Sequence, residues 1–441
     1  MTFYIRMLGC PKNDVDADYI AGHLVQAGHV PSASAAAADA LIINTCGFIE
    51  AAKDESIDHI LELCRVKETN PQVRVYVAGC LAQRYSEELL REIPEIDGVF
   101  GLGELEALAA ALASPEQAGH KRVTDPRFMS YLAGGYRHIS DDLPYAYLKI
   151  SDGCNRGCSY CVIPSIRGAF RSRPLDSILR EATFLADNGK RELILVSQDA
   201  TLYGQDLSPS STVVDLLSEL NSVPNVDWLR LLYLHPANTT EALIEYLGDT
   251  SNKALDYFDL PLQHINDEIL SAMNRRTSRS RIERLLDRIR RQAPQATLRT
   301  TFIVGFPGET EKMFEELLQF VSDQRFDRAA AFTYSQEEGS PAAELGMQIE
   351  EQVKQHRLDL LMTLQQDIAF ERNRSLIGTR PQVMLDRLDG ENRAVGRTRG
   401  DCPEIDQEVI VSGAGTTMGR LATVLIEQAN GYDLVGSIIE D

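Results

Sequence analysis

The sequence predicts an α/β protein in three parts: a parallel-sheet amino-terminal domain, a partial TIM-like (β/α)6 barrel and a small carboxy-terminal OB-like β-barrel. Three observations carry this. Short apolar runs alternate with helical periodicity over residues 1–115. The alternation returns six times between 145 and 372, and from 373 to 441 it gives way to short β-rich runs separated by Gly, Asp and Asn. Strand, helix, strand at this spacing makes parallel sheets, six such units fit a complete or partial barrel, and five short strands fit a small closed one.

In the first domain, strands are expected at residues 3–8, 40–44 and 73–78, with helices at 14–27, 51–66 and 83–92. An Ala-, Pro- and Gly-rich linker is expected over 116–144. The barrel strands are expected at 146–150, 192–197, 228–234, 257–260, 298–304 and 329–334, and the last domain's strands at 382–388, 394–397, 408–411, 422–428 and 435–439. No tight internal repeat is visible.

A chain of 441 residues is too long for one core. It has no apolar run long enough to span a membrane and no secretory signal pattern at Met1–Arg6, so a cytoplasmic location with no membrane partner is expected. Its formal charge of −21 disfavours nucleic acid at long range and suits a strongly basic protein partner.

Eight cysteines in a reducing compartment read as metal ligands when their spacing allows it. Cys154, Cys158 and Cys161 form a C-x3-C-x2-C loop directly after a predicted strand. Three thiolates on a four-iron cluster leave one iron open. That iron could chelate the amino and carboxylate groups of S-adenosylmethionine, whose reductive cleavage gives a carbon radical. A zinc loop is the alternative, but no fourth ligand or His sits within the loop.

Cys10, Cys46 and Cys80 are separated each time by about one strand and one helix, and each follows an apolar run. Carboxyl ends of parallel strands share one edge, so these thiols would converge and could hold a second cluster, with Gly9, Gly47 and Gly79 letting the backbone bend around it. The alternative is three separate core cysteines. Cys64 falls on a helical stripe with Ile57, Ile60 and Leu61 and reads as core; Cys402 sits in a turn and reads as structural.

Barrel active sites lie at the carboxyl ends of the strands. The residues expected there are Ser197, Gln198 and Asp199, then His235, then Gln263 and His264, then Glu309, with Gly305 and Gly308 letting the backbone approach a ligand closely. Ser197, Gln198, Gln263 and Gly305 are the candidate S-adenosylmethionine contacts. Arg167, Arg171 and Arg173 could grip a carboxylate or form internal ion pairs; the arginines of 281–291 read as a solvated helix face.

These motifs resemble the methylthiotransferase family of radical S-adenosylmethionine enzymes over nearly the whole chain. Within it, Leu8-Gly9-Cys10-Pro11-Lys12-Asn13 is similar to the protein-modifying branch, where the transfer-RNA branch typically has Gln-Met-Asn after the cysteine. Residues 145–150, 163–168, 332–340 and 403–406 also match, with Cys402 where the pattern usually has Ala.

The resemblance implies a carboxy-terminal barrel of the TRAM type and two 4Fe-4S clusters, the auxiliary one on Cys10, Cys46 and Cys80, the radical-generating one on Cys154, Cys158 and Cys161. It implies two molecules of S-adenosylmethionine, a reducing electron donor, and methylthio transfer to the β-carbon of an aspartate in small-subunit ribosomal protein twelve. The alternatives are a transfer-RNA adenosine methylthiotransferase and a non-catalytic iron–sulfur or zinc protein that binds nucleic acid. Six arginines against eleven acidic residues in 375–441 make the last domain a poor clamp for transfer RNA and a plausible dock for a basic ribosomal protein.

Overall fold

In the computed structural model, helices carry the chain back between most strands of the first domain, so each new strand joins parallel to the last. The structure describes residues 1–114, 121–129, 137–390, 392–413 and 417–439. Strands β1 (Thr2–Met7), β2 (Val30–Pro31), β3 (Ala40–Thr45), β4 (Arg74–Gly79), β5 (Gly98–Phe100) and β6 (Lys121–Arg122) form one parallel sheet, ordered β2-β1-β3-β4-β5-β6. Helices α1 (Pro11–Gln26), α2 (Glu50–Cys64), α3 (Val66–Thr69), α4 (Cys80–Glu92) and α5 (Leu105–Ala113) flank it.

The three expected strands are present. The further three have two or three residues each, too few for an alternating pattern to register in the sequence. One of them, β6, lies in the stretch read as a linker. The stripe expected on α2 is also rotated. The helix buries Ser56, Ile60, Leu63 and Cys64, while Ile57 and Leu61 remain 36% and 40% exposed. The rotation has a physical reason: Ser56 Oγ donates to Cys46 O at 2.9 Å and accepts from Cys46 N at 3.1 Å, fixing the cysteine's turn.

The second domain contains the six expected strands: β7 (Tyr145–Lys149), a short antiparallel pair β8 (Ser151–Asp152) and β9 (Arg171–Ser172), then β10 (Glu192–Val196), β11 (Trp228–Leu231), β12 (Tyr257–Gln263), β13 (Thr297–Val304) and β14 (Arg328–Thr333). The helices are α6 (Ile163–Arg167), α7 (Leu175–Asp187), α8 (Val213–Leu220), α9 (Glu241–Gly248), α10 (Asp267–Ala272), α11 (Arg279–Gln292), α12 (Glu311–Gln324) and α13 (Glu351–Ser375). The barrel is split into two three-stranded parallel sheets, β11-β10-β7 and β12-β13-β14. Leu229 N to Lys253 O (2.8 Å), Leu255 N to Leu229 O (2.9 Å) and Leu234 N to Asp259 O (2.8 Å) bridge the seam. Strands β7 and β14 do not pair, and α1 packs against β7. On α11, Ile282, Leu285, Leu286 and Ile289 face the core and its arginines face outward, as expected.

The last domain is a closed barrel, β15 (Gln382–Leu388), β16 (Arg393–Thr398), β17 (Val409–Ser412), β19 (Asp433–Ile438) and β18 (Leu421–Asn430), in the order β15-β16-β17-β19-β18. It plugs the floor of the split barrel: Met384 and the fully buried Cys402 pack with Tyr145, Tyr147, Trp228 and Tyr257. Cys402 is thus structural, as expected.

The same interface holds a chain of buried ion pairs. Glu192 pairs with Arg230 (2.7 Å) and Arg397 (2.8 Å), and Arg397 with Asp386 (2.6 Å). Asp401 pairs with Arg328 (2.5 Å), and Asp406 accepts from Tyr257 Oη at 2.6 Å. Glu404 accepts from Tyr145 and Tyr147 at 3.2 Å each. The acidic excess read as a docking surface is therefore partly internal: Asp386 is buried on Arg397 of its own domain, Asp401 and Asp406 on Arg328 and Tyr257 of the split barrel, while Glu404 stays exposed. Among the described residues no helix is long and apolar enough to cross a membrane.

Removing one member of a buried ion network leaves its partners uncompensated. Arg397→Met is expected to lower the stability of the full chain by about 3–5 kcal/mol in urea unfolding. Asp14, half-buried on α1, has its carboxyl pushed up to about 7 by burial and by the charges of Glu404 and Asp18. Since the unfolded carboxyl titrates near about 4, stability should fall as pH rises from about 4 to about 7. Asp14→Asn should abolish that slope and stabilise the chain by about 1–2 kcal/mol at pH 8, with little effect at pH 4.

Candidate metal centres

The first three cysteines stand where three neighbouring strands end. Cys10 follows β1 and precedes α1, Cys46 follows β3, and Cys80 opens α4 directly after β4. Strands β1, β3 and β4 are adjacent, so their carboxyl edges bring the three turns together. A Cβ built on Gly9 would lie 2.7 Å from Cys46 Cβ and 3.2 Å from Cys46 Sγ. One on Gly47 would lie 2.8 Å from Leu81 N.

Gly79 has φ +94°, and a Cβ there would meet Thr45 O and Asn44 Oδ1 at 2.6 Å. The glycines thus let the three cysteine turns close on one another. Asn13 clamps the cluster of turns, donating to Leu8 O (2.8 Å) and Thr45 O (3.1 Å).

The second three lie on the loop between β8 and α6. Cys154 N donates to Gly168 O, and Cys161 N donates to Cys158 O, both at 3.1 Å. Ser159 anchors the loop to the end of α10 through Ala272 O (2.7 Å) and Met273 O (3.1 Å). Cys80 and Cys158 are buried, while Cys10, Cys46, Cys154 and Cys161 keep part of their surface open. Burial pushes the thiols of Cys80 and Cys161 up to about 12.

Each group of thiols faces one buried guanidinium. Arg167 Nη2 donates to Cys80 Sγ at 3.5 Å, and Arg275 Nη1 to Cys158 Sγ at 3.5 Å. Arg167 belongs to α6, just beyond the second cysteine loop, yet reaches the first triad. It also contacts Asn13 Oδ1 (2.8 Å) and Asp16 (3.0 Å) of the first domain and Asp152 (3.1 Å) of the second.

Arg167 and Arg173 thus form internal ion pairs, Arg173 with Glu181 at 2.5 Å, while Arg171 donates to Ala169 O and Arg167 O. Arg275, in the turn after α10, was not singled out in the sequence. Only its arginine type and its place beyond a barrel strand offered a signal. Among the described residues no three His, Cys, Asp or Glu side chains converge as the ligands of one metal ion do. A four-iron cluster is a larger body held by thiolates further apart.

At the barrel mouth, Ser197 Oγ, Gln198 Oε1 and Gln263 Oε1 are buried without a hydrogen-bond partner. Gln263 and Tyr233 both adopt positive φ, +73° and +63°, and the ladder is irregular between Leu260 and Gln263. Unpartnered buried polar atoms cost stability unless a ligand satisfies them, so these residues fit a polar small molecule.

The other expected residues have internal partners. Asp199 pairs with Arg156 and caps a turn at Thr201 N. His235 Nδ1 accepts from Ala237 N, and burial with nearby arginines lowers its pKa to about 2, so it is neutral. His264 Nδ1 accepts from Asn266 N, but its buried Nε2 has no hydrogen-bond partner and lies 3.6 Å from Glu309 Oε2. Glu309 pairs with Arg357 and accepts from Gly305 N. A Cβ on Gly305 would strike Lys354 Cγ at 2.3 Å, so helix packing already requires glycine there. Gly308 has φ +84° with Met347 Cε 3.4 Å from its Cβ position.

Comparison with known proteins matches residues 2–101 to the family described as uncharacterized protein family UPF0004, 148–321 to the radical SAM superfamily and 377–439 to the TRAM domain. The chain is 43% identical to ribosomal protein uS12 methylthiotransferase RimO of Geobacter sulfurreducens, over 98% of this chain and 97% of that protein. It is 45% identical to the protein of the same name from Pelotomaculum thermopropionicum, over 98% of each.

Among solved structures it resembles the radical S-adenosylmethionine methyltransferase TsrM from Kitasatospora setae (TM-score 0.56, 15% identity, 88% and 81% covered). It also resembles the cobalamin-dependent S-adenosylmethionine radical enzyme OxsB (TM-score 0.54, 12% identity, 82% and 56% covered). At these identities the likeness is one of fold.

Because its Cβ would press on backbone, Gly79→Ala is expected to destabilise the chain by about 2–4 kcal/mol. Gly28→Ala, at a similar φ of +88° with nothing within 4 Å, should cost only about 1 kcal/mol in the same urea titration.

Proposed function

The chain belongs to the RimO family of radical S-adenosylmethionine methylthiotransferases, and from that premise we propose that it adds a methylthio group to the β-carbon of an aspartate in ribosomal protein uS12. In this reading Cys10, Cys46 and Cys80 hold an auxiliary 4Fe-4S cluster and Cys154, Cys158 and Cys161 the radical-generating one. Ser197, Gln198 and Gln263, with the backbone at Gly305, hold S-adenosylmethionine. The observation that carries it is the placement of two thiol triads at the carboxyl edges of two parallel sheets, with Arg167 of the second domain reaching Cys80 of the first triad.

When bound, clusters of this kind supply a low-potential electron and an open iron, and S-adenosylmethionine supplies the methyl group and the radical precursor. The rest of the work falls to the chain. Arg167 and Arg275 donate to one sulfur of each triad, which favours its anionic form and steadies its direction. Burial that pushes Cys80 and Cys161 up to about 12 means that metal loading must displace protons, so loading is favoured by rising pH. The unpartnered oxygens of Ser197, Gln198 and Gln263 offer a site for the amino acid and ribose groups of S-adenosylmethionine. His235, held neutral, adds no charge to that site.

Two measurements test the reading. The anaerobically reconstituted chain is expected to bind about eight irons, and Cys10→Ala/Cys46→Ala/Cys80→Ala about four, with cleavage of S-adenosylmethionine retained and sulfur insertion lost. Cells lacking the gene should show uS12 lighter by about 46 Da, one SCH2 increment, with unchanged methylthio content in transfer RNA. A loss from transfer RNA alone would reverse the substrate assignment.

A further inference from the structure

Two buried cations of the site have no carboxylate partner among the described residues: Arg275, which donates to Cys158 Sγ, and Lys12, which makes no hydrogen bond to a sulfur. Lys12 stands in the first turn of α1 and is only 8% exposed. Its Nζ donates to Ser197 O at 3.3 Å and lies 3.5 Å from the centroid of the Tyr233 ring. Both partners are neutral, while an ammonium has three hydrogens to donate. Among the described residues no carboxylate stands within 4.0 Å of it, whereas Lys149, Arg156 and Arg167 each have one.

Its position makes the deficit larger. The amino-terminal end of the 16-residue α1 is itself electropositive. The Cys10 thiol attracts this charge, but a buried ammonium with no directly bonded anion is still unfavourable, and a positively charged helix end adds to it.

We propose that Lys12 determines specificity by receiving the side-chain carboxylate of the target aspartate. The inference rests on the function proposed above and deepens it. Covalent structure fixes where that carboxylate must be: the β-carbon that gains sulfur is bonded directly to the carboxyl carbon, so the carboxylate lies next to the carbon meeting the sulfur donor. Lys12 is carried by the same turn as Cys10, on the first-triad side, and its ammonium reaches the barrel mouth at Ser197.

Tyr233 keeps that ammonium in place. Its backbone holds φ +63° and its N–H donates to Asp259 Oδ2 at 2.9 Å, so the ring is fixed over the cation. The carboxylate of S-adenosylmethionine is a second source of the same chemistry, and the test separates the two.

The experiment is a double-mutant cycle read by binding. Reconstituted wild-type and Lys12→Met chains are titrated with uS12 and with uS12 whose methylthiolated aspartate, located by mass mapping, is replaced by Asn. The wild type is expected to prefer the aspartate form by about 10- to 100-fold, and Lys12→Met to bind both forms equally weakly. Iron content and affinity for S-adenosylmethionine should be unchanged in the variant.

Full discrimination retained by Lys12→Met would overturn the proposal, as would a loss of affinity for S-adenosylmethionine in its place. If Lys12→Met loads less iron, the wild type alone decides: equal affinity for the aspartate and asparagine forms sinks the pairing. A wild-type enzyme that methylthiolates no aspartate of uS12 counts against the proposed function itself and removes the premise.

Discussion

The Arg167 guanidinium is the constraint on which the site depends. It is buried, and it touches Asn13, Asp16 and Cys80 of the first domain and Asp152 of the second. A guanidinium placed there requires all of those partners at once, because a buried cation that loses any of them is left under-compensated. Its fork geometry fixes distances and directions as well as charge. The edge of the first sheet and the mouth of the barrel are therefore held in one orientation.

The same device recurs wherever domains meet. Arg137 ties Asp18 of α1 to Glu181 of α7, Lys149 pairs with Asp16, and the Glu192, Arg230, Arg397 and Asp386 network fastens the carboxy-terminal barrel to the split barrel's floor. Apolar packing beside these pairs, with Trp228, Tyr257, Met384 and Cys402 in one core, supplies non-directional cohesion. The ion pairs add direction.

This arrangement also divides the charge of the last domain between inside and outside. Its acidic residues outnumber its arginines, but Asp386, Asp401 and Asp406 point into the molecule, as does Arg397. Net charge describes a chain; a docking surface depends on which charges remain outside.

The sequence by itself determined the order of domains, the six barrel strands and the two groups of cysteines. Local pattern decides these: hydrophobic period, strand-end position and ligand spacing are all properties of neighbouring residues. It did not reveal the two- and three-residue strands, because so short a run has no period. Nor did it reveal the rotation of α2, set by a hydroxyl that Cys46 needs. The break between β11 and β12, and the partners of Arg167, Arg275 and Lys12, belong to tertiary structure alone. Arg167 lies far along the chain from Cys80, and Lys12 further still from Ser197. Only folding brings such groups within a hydrogen bond's reach, and only then does a side chain's charge find, or lack, its complement.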